Sequence, residues 1–251
     1  METLVCIKRV PDTGARIVLT DDRSAVDATG IGYTISPHEE CAVEAAIALA
    51  DDHGGTSTAL TLGAPEAEEQ LRTAVAMGVD RATLLETHGE WGPIATAGAI
   101  AAAVRERGDP PDLLLFGNES ADAGHHQVPI RVAAVLDLPA VTGVKGLDVE
   151  GERLVATRDA PGGEEVFEVD LPAVLSVKEG LNTPRYPSMR SRMQARRTEI
   201  DRSEPEAGEE PDVETVELEV PEREESPAEV LGEDASAASD VVRVFRELEV
   251  I

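Results

Sequence analysis

A chain of 251 residues is long enough for one good-sized α/β core with an appendage. Fifty acidic residues against 22 basic ones give a formal net charge of −28, and Lys8, Lys145 and Lys178 are the only lysines. Nucleic acid is thereby excluded as the main partner, because phosphate neutralisation needs surplus cations, and no apolar run is long enough to expect membrane insertion.

Residues 3–10 (TLVCIKRV) are apolar and rich in β-branched side chains, which predicts a buried strand broken by Pro11, Asp12, Thr13 and Gly14. Segments 15–20 and 24–35 suggest a small hairpin excursion. Ser36-Pro37-His38-Glu39 then combines an N-cap serine, a first-turn proline and a glutamate three residues on, the pattern of a capping box, so a helix is expected over 37–52 until Gly54-Gly55. The same alternation continues with a strand at 56–62, a helix at 65–77, a strand at 82–86, a helix at 93–107, a strand at 112–116 and a helix at about 126–137. Strands and helices alternating at this spacing imply an α/β fold, a mostly parallel sheet with helices on both faces.

Short strands expected at 140–145, 153–158, 164–169 and 173–178 look like the far edge of that sheet. After Asn182-Thr183-Pro184 the regular pattern stops, which divides the chain into an α/β domain (1–183) and an extended C-terminal arm (184–251). The arm holds an arginine-rich stretch (185–197), an acidic, proline-containing stretch (201–229) and an alternating Val216, Leu218, Val220. It ends in an amphipathic helix with Val241, Val242, Phe245 and Leu248 on one face and Ser239-Asp240 as its expected cap. Such an arm has too little apolar surface to bury by itself and is expected to lie on a partner subunit, the plainer alternative being a disordered tail.

The carboxylates are spread over the whole chain rather than confined to the tail. Their self-repulsion acts over a Debye length of about 8 Å at ordinary ionic strength and roughly 3 Å in molar salt, so the expected setting is a halophilic cytoplasm. Cys6 and Cys41 sit in apolar runs without ligand spacing and are expected to be buried free thiols, and no signal peptide is expected.

The sequence has no Walker loop, no G-x-G-x-x-G after the first strand and no nucleophile elbow. Its most informative stretch is Phe116-Gly117-Asn118-Glu119-Ser120-Ala121-Asp122-Ala123-Gly124-His125-His126-Gln127, which joins an apolar strand to a helix start. Ligands of open parallel sheets bind beyond the carboxyl ends of the strands, where a helix N-terminus offers free amides to a phosphate. Taken on composition alone, an ordinary tight turn is the better reading of the loop, and histidines at a helix start are more often solvent-facing or capping than ligands.

Five segments in order, VCIKRVPDTGARI, SPHEECAVEAA, RTAVAMGVDRA, GNESADAGHHQ and LNTPRYPSMRSRMQARR, resemble the beta subunit of electron-transfer flavoproteins over most of the chain. The resemblance implies an adenine-nucleotide alpha-hydrolase-like fold, an electron carrier rather than an enzyme with its own catalytic side chains, and a larger alpha subunit that holds FAD. It also implies an AMP on this chain, or a second FAD in bifurcating members, with AMP fitting a plain carrier.

Carried over residue by residue, the resemblance assigns Cys6 to the adenine end and Ser36, Pro37, His38 and Glu39 to the adenosine, with Ser36 in place of the family's asparagine. It assigns Gly117, Asn118, Glu119, Ser120, Ala121, Asp122, Ala123, Gly124, His125, His126, Gln127 and Val128 to the phosphate. Ala123-Gly124-His125 departs from the family's acidic or threonine-bearing triplet, and Pro129 replaces a common glycine. Asp12 and Thr13 resemble the flavin-proximal loop, with Thr13 where some members carry tyrosine.

Arg185, Tyr186, Met189, Met193, Arg196 and Arg197 fall in the segment that resembles the docking loop for acyl-CoA dehydrogenases, Met189 being the inserting residue; read alone, Met189 and Met193 also fit a local core. Electrons are expected to leave to a quinone oxidoreductase. Alternative readings are a bifurcating flavoprotein subunit or a stand-alone nucleotide binder resembling universal stress proteins.

Overall fold

Strand β1 (Glu2–Cys6) is buried in all but its first residue and is followed by two short strands, β2 (Val10–Pro11) and β3 (Tyr33–Thr34), that pair antiparallel with each other. In the computed structural model, which describes residues 1–89, 91–108, 110–206, 215–221, 230–232 and 234–250, the chain then winds through α1 (Pro37–His53), β4 (Thr56–Gly63), a 3₁₀ turn at Pro65–Ala67 and α2 (Glu68–Met77). It continues through β5 (Arg81–Glu86), α3 (Pro93–Glu106), β6 (Leu113–Gly117), α4 (Val128–Leu136) and β7 (Ala140–Val144). Beyond these come β8 (Gly146–Glu150), β9 (Arg153–Ala160), β10 (Gly163–Asp170), β11 (Ala173–Val177), α5 (Met189–Ala195), β12 (Asp201–Ser203) and α6 (Ala238–Glu247).

Seven strands form one sheet in the order β12-β5-β4-β1-β6-β11-β7, every pairing parallel. Its middle strands are covered on both faces, which is why β6 reads as an unbroken apolar run in which Leu113, Leu114 and Leu115 are wholly buried. Burying each such leucine contributes about 2 kcal/mol. One face packs under α1 and α2 through Ile47, Leu71, Ala59 and Leu84, and the other under α3 and α4 through Ile100, Val132, Leu60 and Leu114. The alternation of helices and strands thus yields the expected fold class.

Several finer expectations need correction. The first strand ends at Cys6 rather than at residue 10, because the Lys8 amide turns away to donate to a Glu39 carboxylate oxygen at 2.8 Å. The hairpin over 15–35 reduces to one antiparallel bridge, Leu19 to Val26, around a turn where Asp22 accepts from Thr20 and Ser24. The run from 140 to 178 is not simply the sheet's far edge. β8, β9 and β10 form a separate antiparallel sheet, and β11 inserts between β6 and β7, leaving β7 at the edge.

Regular structure also continues past residue 184. α5 docks on α2 through buried Ala195, whose carbonyl accepts from Arg72 Nη1, and β12 then pairs with β5 at the opposite edge of the sheet. The last helix begins earlier than Ser239-Asp240, since Asp234 accepts from the Ser236 amide at 2.8 Å and opens a 3₁₀ turn that runs into α6. Most of the acidic stretch at 201–229 lies outside the described residues; within the described part, Val216 and Val220 are exposed and the Leu218 amide donates to the Arg23 carbonyl.

Candidate functional site

β1, α1, β4, α2 and β5 wind outward to one side of β1, and the crossover through α3 returns the chain to β6 on the other side. The strand order therefore reverses between β1 and β6, and the crevice beyond their carboxyl ends is the place where an open α/β sheet accepts ligands. Cys6 to Lys8 line it from β1, Gly117 and Asn118 from β6, and the first turns of α1 and α4 close its sides.

The α1 side is rigidly built. Ser36 Oγ accepts from the Glu39 amide at 3.2 Å while Glu39 Oε2 accepts from the Ser36 amide at 2.8 Å, completing the capping box, and Glu39 Oε1 takes the Lys8 amide. Glu39 thus ties the end of β1 to the start of α1. Burial pushes its carboxyl up to about 7 despite these hydrogen bonds and the nearby Lys8 charge. Gly117 exists as glycine for this reason: a Cβ there would lie 2.6 Å from Glu39 Cγ and 3.3 Å from the Glu39 amide. Cys6 is buried between Leu60 and Phe116, and burial, with the Glu39 charge adding, pushes its thiol well up, so it serves as wall rather than nucleophile.

The loop from Asn118 to Gln127 forms the α4 side. Its turn is held by the Gly124 amide, which donates to the Ser120 carbonyl at 3.1 Å, and both Gly124 (φ 56°) and His126 (φ 55°) adopt left-handed backbone. His126 is the residue with a cost there, since a Cβ disfavours that region. No side chain caps α4: Gln127 Oε1 turns instead to Arg131, at 2.8 Å from Nη2. The amides of Val128 and Ile130 are left open as at any uncapped helix start, and Pro129 has none to leave unsatisfied.

Lys8 and His38 face this loop and His126 belongs to it, and acids of the loop lie against all three. Lys8 Nζ lies 2.7 Å from Asp122 Oδ2. Burial raises the Asp122 carboxyl, but the Lys8 hydrogen bond and charge, the Ser120 hydroxyl and the Ala123 amide hold it below the usual range. Glu119 lies between His38 Nε2 (3.4 Å) and His126 Nε2 (2.6 Å). His38 Nδ1 accepts from the Glu179 amide at 2.8 Å, which places the proton of the neutral ring on Nε2. Asn118 joins the sides, its Oδ1 accepting from Ser176 Oγ at 3.2 Å and its Nδ2 reaching His126 Nδ1 at 3.4 Å. Ala121, Ala123 and His125 are exposed on the loop's rim.

Sequence reasoning missed Lys8, Ser176 and the Glu179 amide. Lys8 carried the only available signal, as one of three lysines placed just past the first strand. Asp12 and Thr13 lie apart from this cluster in a tight turn, where Asp12 Oδ1 accepts from the Gly14 amide at 3.0 Å and Thr13 faces solvent.

In the docking segment, Arg185 is committed to α1 through two guanidinium hydrogen bonds to Glu44, at 2.8 and 2.9 Å. Tyr186, Met189 and Met193 are 87%, 76% and 61% exposed, which removes the local-core reading of the two methionines. Arg196 and Arg197 are exposed just beyond α5. Two cavities of about 310 and 300 Å³ open at the amino ends of the strands, near Met1, Asp112 and Pro172 and near Thr58, Arg81 and Arg107, away from the crevice. Among the described residues no group of three or more His, Cys, Asp or Glu side chains is placed to hold a metal ion, and no helix is long and apolar enough to cross a membrane.

Fold and crevice together define a doubly wound α/β protein with an uncapped helix start beside its topological switch point. Residues 24–208 match the electron transfer flavoprotein domain. The chain is 35% identical over 253 residues to the electron transfer flavoprotein subunit beta of Bacillus subtilis, covering 98% of each. It is 40% identical over 201 residues to the subunit of the same name from Syntrophomonas wolfei, covering 80% of this chain and 78% of the relative. A third relative, Protein FixA of Azorhizobium caulinodans, is 35% identical over 208 residues, covering 80% and 74%. The chain belongs to the beta-subunit family of electron transfer flavoproteins.

Proposed function

We propose that this chain is the nucleotide-holding beta subunit of a heterodimeric electron carrier, with AMP in the crevice between β1 and β6. The observation that carries the reading is the uncapped start of α4 at the end of the loop that leaves β6, a loop whose Glu119 and Asp122 gather the Nε2 atoms of His38 and His126 and the ammonium of Lys8. These donors fit a phosphate monoester, with the Val128 and Ile130 amides adding the partial positive charge of the helix start. Ser36 to Glu39 hold the α1 wall against the nucleoside, Cys6 forms its floor, and Gly117 leaves room for close approach of the backbone.

In this reading the redox chemistry belongs to FAD, held mainly by the alpha subunit with the turn at Asp12 and Thr13 approaching it from this side. This chain binds, orients and excludes water. Electrons enter from dehydrogenases, such as those acting on acyl-CoA, which dock on Tyr186, Met189, Met193, Arg196 and Arg197, and leave to a quinone oxidoreductase, in a cytoplasmic complex. Exposure of both methionines supports that surface, because flexible thioether side chains suit several partners.

The test is co-purification with the alpha subunit, followed by mixing with a reduced acyl-CoA dehydrogenase. One FAD and one AMP per heterodimer, with bleaching of the flavin, is the expected result. Absence of flavin contradicts the carrier role, and two FADs per heterodimer select the bifurcating alternative over AMP.

A further inference from the structure

The donors that a phosphate would use are already occupied, and the occupants come from the same loop. His38 and His126 belong to separate elements, the first turn of α1 and the approach to α4, yet both present Nε2 to the two oxygens of one carboxylate, Glu119. The arrangement is set from behind. The Glu179 amide fills His38 Nδ1, and the Asn118 amide, oriented by Ser176 on its oxygen, reaches His126 Nδ1, so the proton of each neutral ring lies on Nε2, the nitrogen nearest Glu119. A carboxylate with its two oxygens 3.4 and 2.6 Å from two imidazole nitrogens on either side of a crevice stands where two phosphate oxygens could stand.

Asp122 treats Lys8 in the same way, at 2.7 Å. The loop therefore neutralises its own cradle, and a dianion approaching it meets two carboxylates before it meets a free cation. Of the two, Glu119 is the displaceable one. Asp122 is anchored additionally by the Ala123 amide at 2.7 Å, whereas Glu119 accepts no hydrogen bond among the described residues, is held only by its approach to the two imidazoles and is 40% exposed.

Resting on the nucleotide reading of the crevice, we propose that Glu119 is an intramolecular stand-in for the nucleotide phosphate, bridging His38 and His126 when the crevice is empty and displaced when a phosphate arrives. Glu119 then sets the affinity by competition and keeps the walls of the crevice aligned between ligands. Its charge also disfavours ligands with more negative charge at the same point, so a phosphate monoester is preferred to a polyphosphate.

The experiment measures AMP and adenosine affinity, by titration calorimetry on the full chain freed of nucleotide, for the wild type, Glu119→Gln and His126→Gln. Thermal melts run alongside verify that each variant folds. The glutamine at 119 removes the competing charge with little change of shape. It is expected to tighten AMP about tenfold while leaving adenosine unchanged, since a like charge about 5 Å from a phosphate acts on the phosphate alone. His126→Gln is expected to weaken AMP severalfold. Wild-type binding of AMP with Glu119→Gln equal or weaker overturns the stand-in role and leaves the nucleotide site intact. No binding of AMP to any of the folded proteins overturns the nucleotide reading and the stand-in together.

Discussion

Glu39 binds its proton more readily in the folded chain than in the unfolded one, because burial raises its carboxyl from 4.5 to about 7. Between those two values the unfolded glutamate is ionised while the folded one is protonated, so this group's contribution to stability falls as pH rises through that window. The loss is about 3 kcal/mol and is complete above the folded value. In denaturant titrations from pH 4 to pH 8, wild type is expected to lose about 3 kcal/mol relative to Glu39→Gln as pH rises through this window, the variant lacking the slope; parallel curves would contradict the assignment. Gly117→Ala at the same junction must push Glu39 aside and is expected to cost about 1–3 kcal/mol of stability, measured by the same titration, and to abolish AMP binding. The capping box was readable as Ser36-Pro37-His38-Glu39, because its chemistry is local. The joining of Glu39 to Lys8, and of Glu119 to His38, was not, since those contacts span 31 residues between Lys8 and Glu39 and 81 between His38 and Glu119 and depend on which strand lies next to which.

At the scale of elements, α6 carries Val241, Val242, Phe245 and Leu248 at 38–66% exposure and buries no residue. Its amphipathic spacing was legible from residue types three and four apart. Its start was misplaced because an aspartate five residues upstream supplies the cap. Phe245→Glu is expected to change the chain's own stability by less than about 0.5 kcal/mol, since α6 buries none of its residues among the described ones. Association with the alpha subunit is expected to weaken at least tenfold, read by analytical ultracentrifugation of the mixed subunits; unchanged association would place the contact elsewhere. Strands β4 to β6 were visible as apolar runs between helix signals, whereas β8 to β10 were not separable from the main sheet. Period-2 patterning reports which side of a strand is buried and says nothing about which sheet it joins.

For the whole molecule, the formal charge of −28 opposes compaction until salt screens it. Raising KCl from about 0.1 M to about 2 M is expected to stabilise the folded chain by about 2 kcal/mol, or roughly 5 °C in Tm for a chain of this size. A flat or falling Tm in calorimetry would contradict the halophilic reading of the composition. The fold as a whole was legible because alternating strand and helix signals at this spacing leave little but a parallel sheet covered on both faces, and the position of the crevice follows from the reversal of strand order between β1 and β6. The most direct measurement of that central claim is a crystal structure of the chain with its alpha subunit and AMP. The phosphate is expected within hydrogen-bonding distance of the Val128 and Ile130 amides, with Glu119 turned away from His38 and His126. AMP bound instead in a cavity at the amino ends of the strands, with the start of α4 empty, would contradict it.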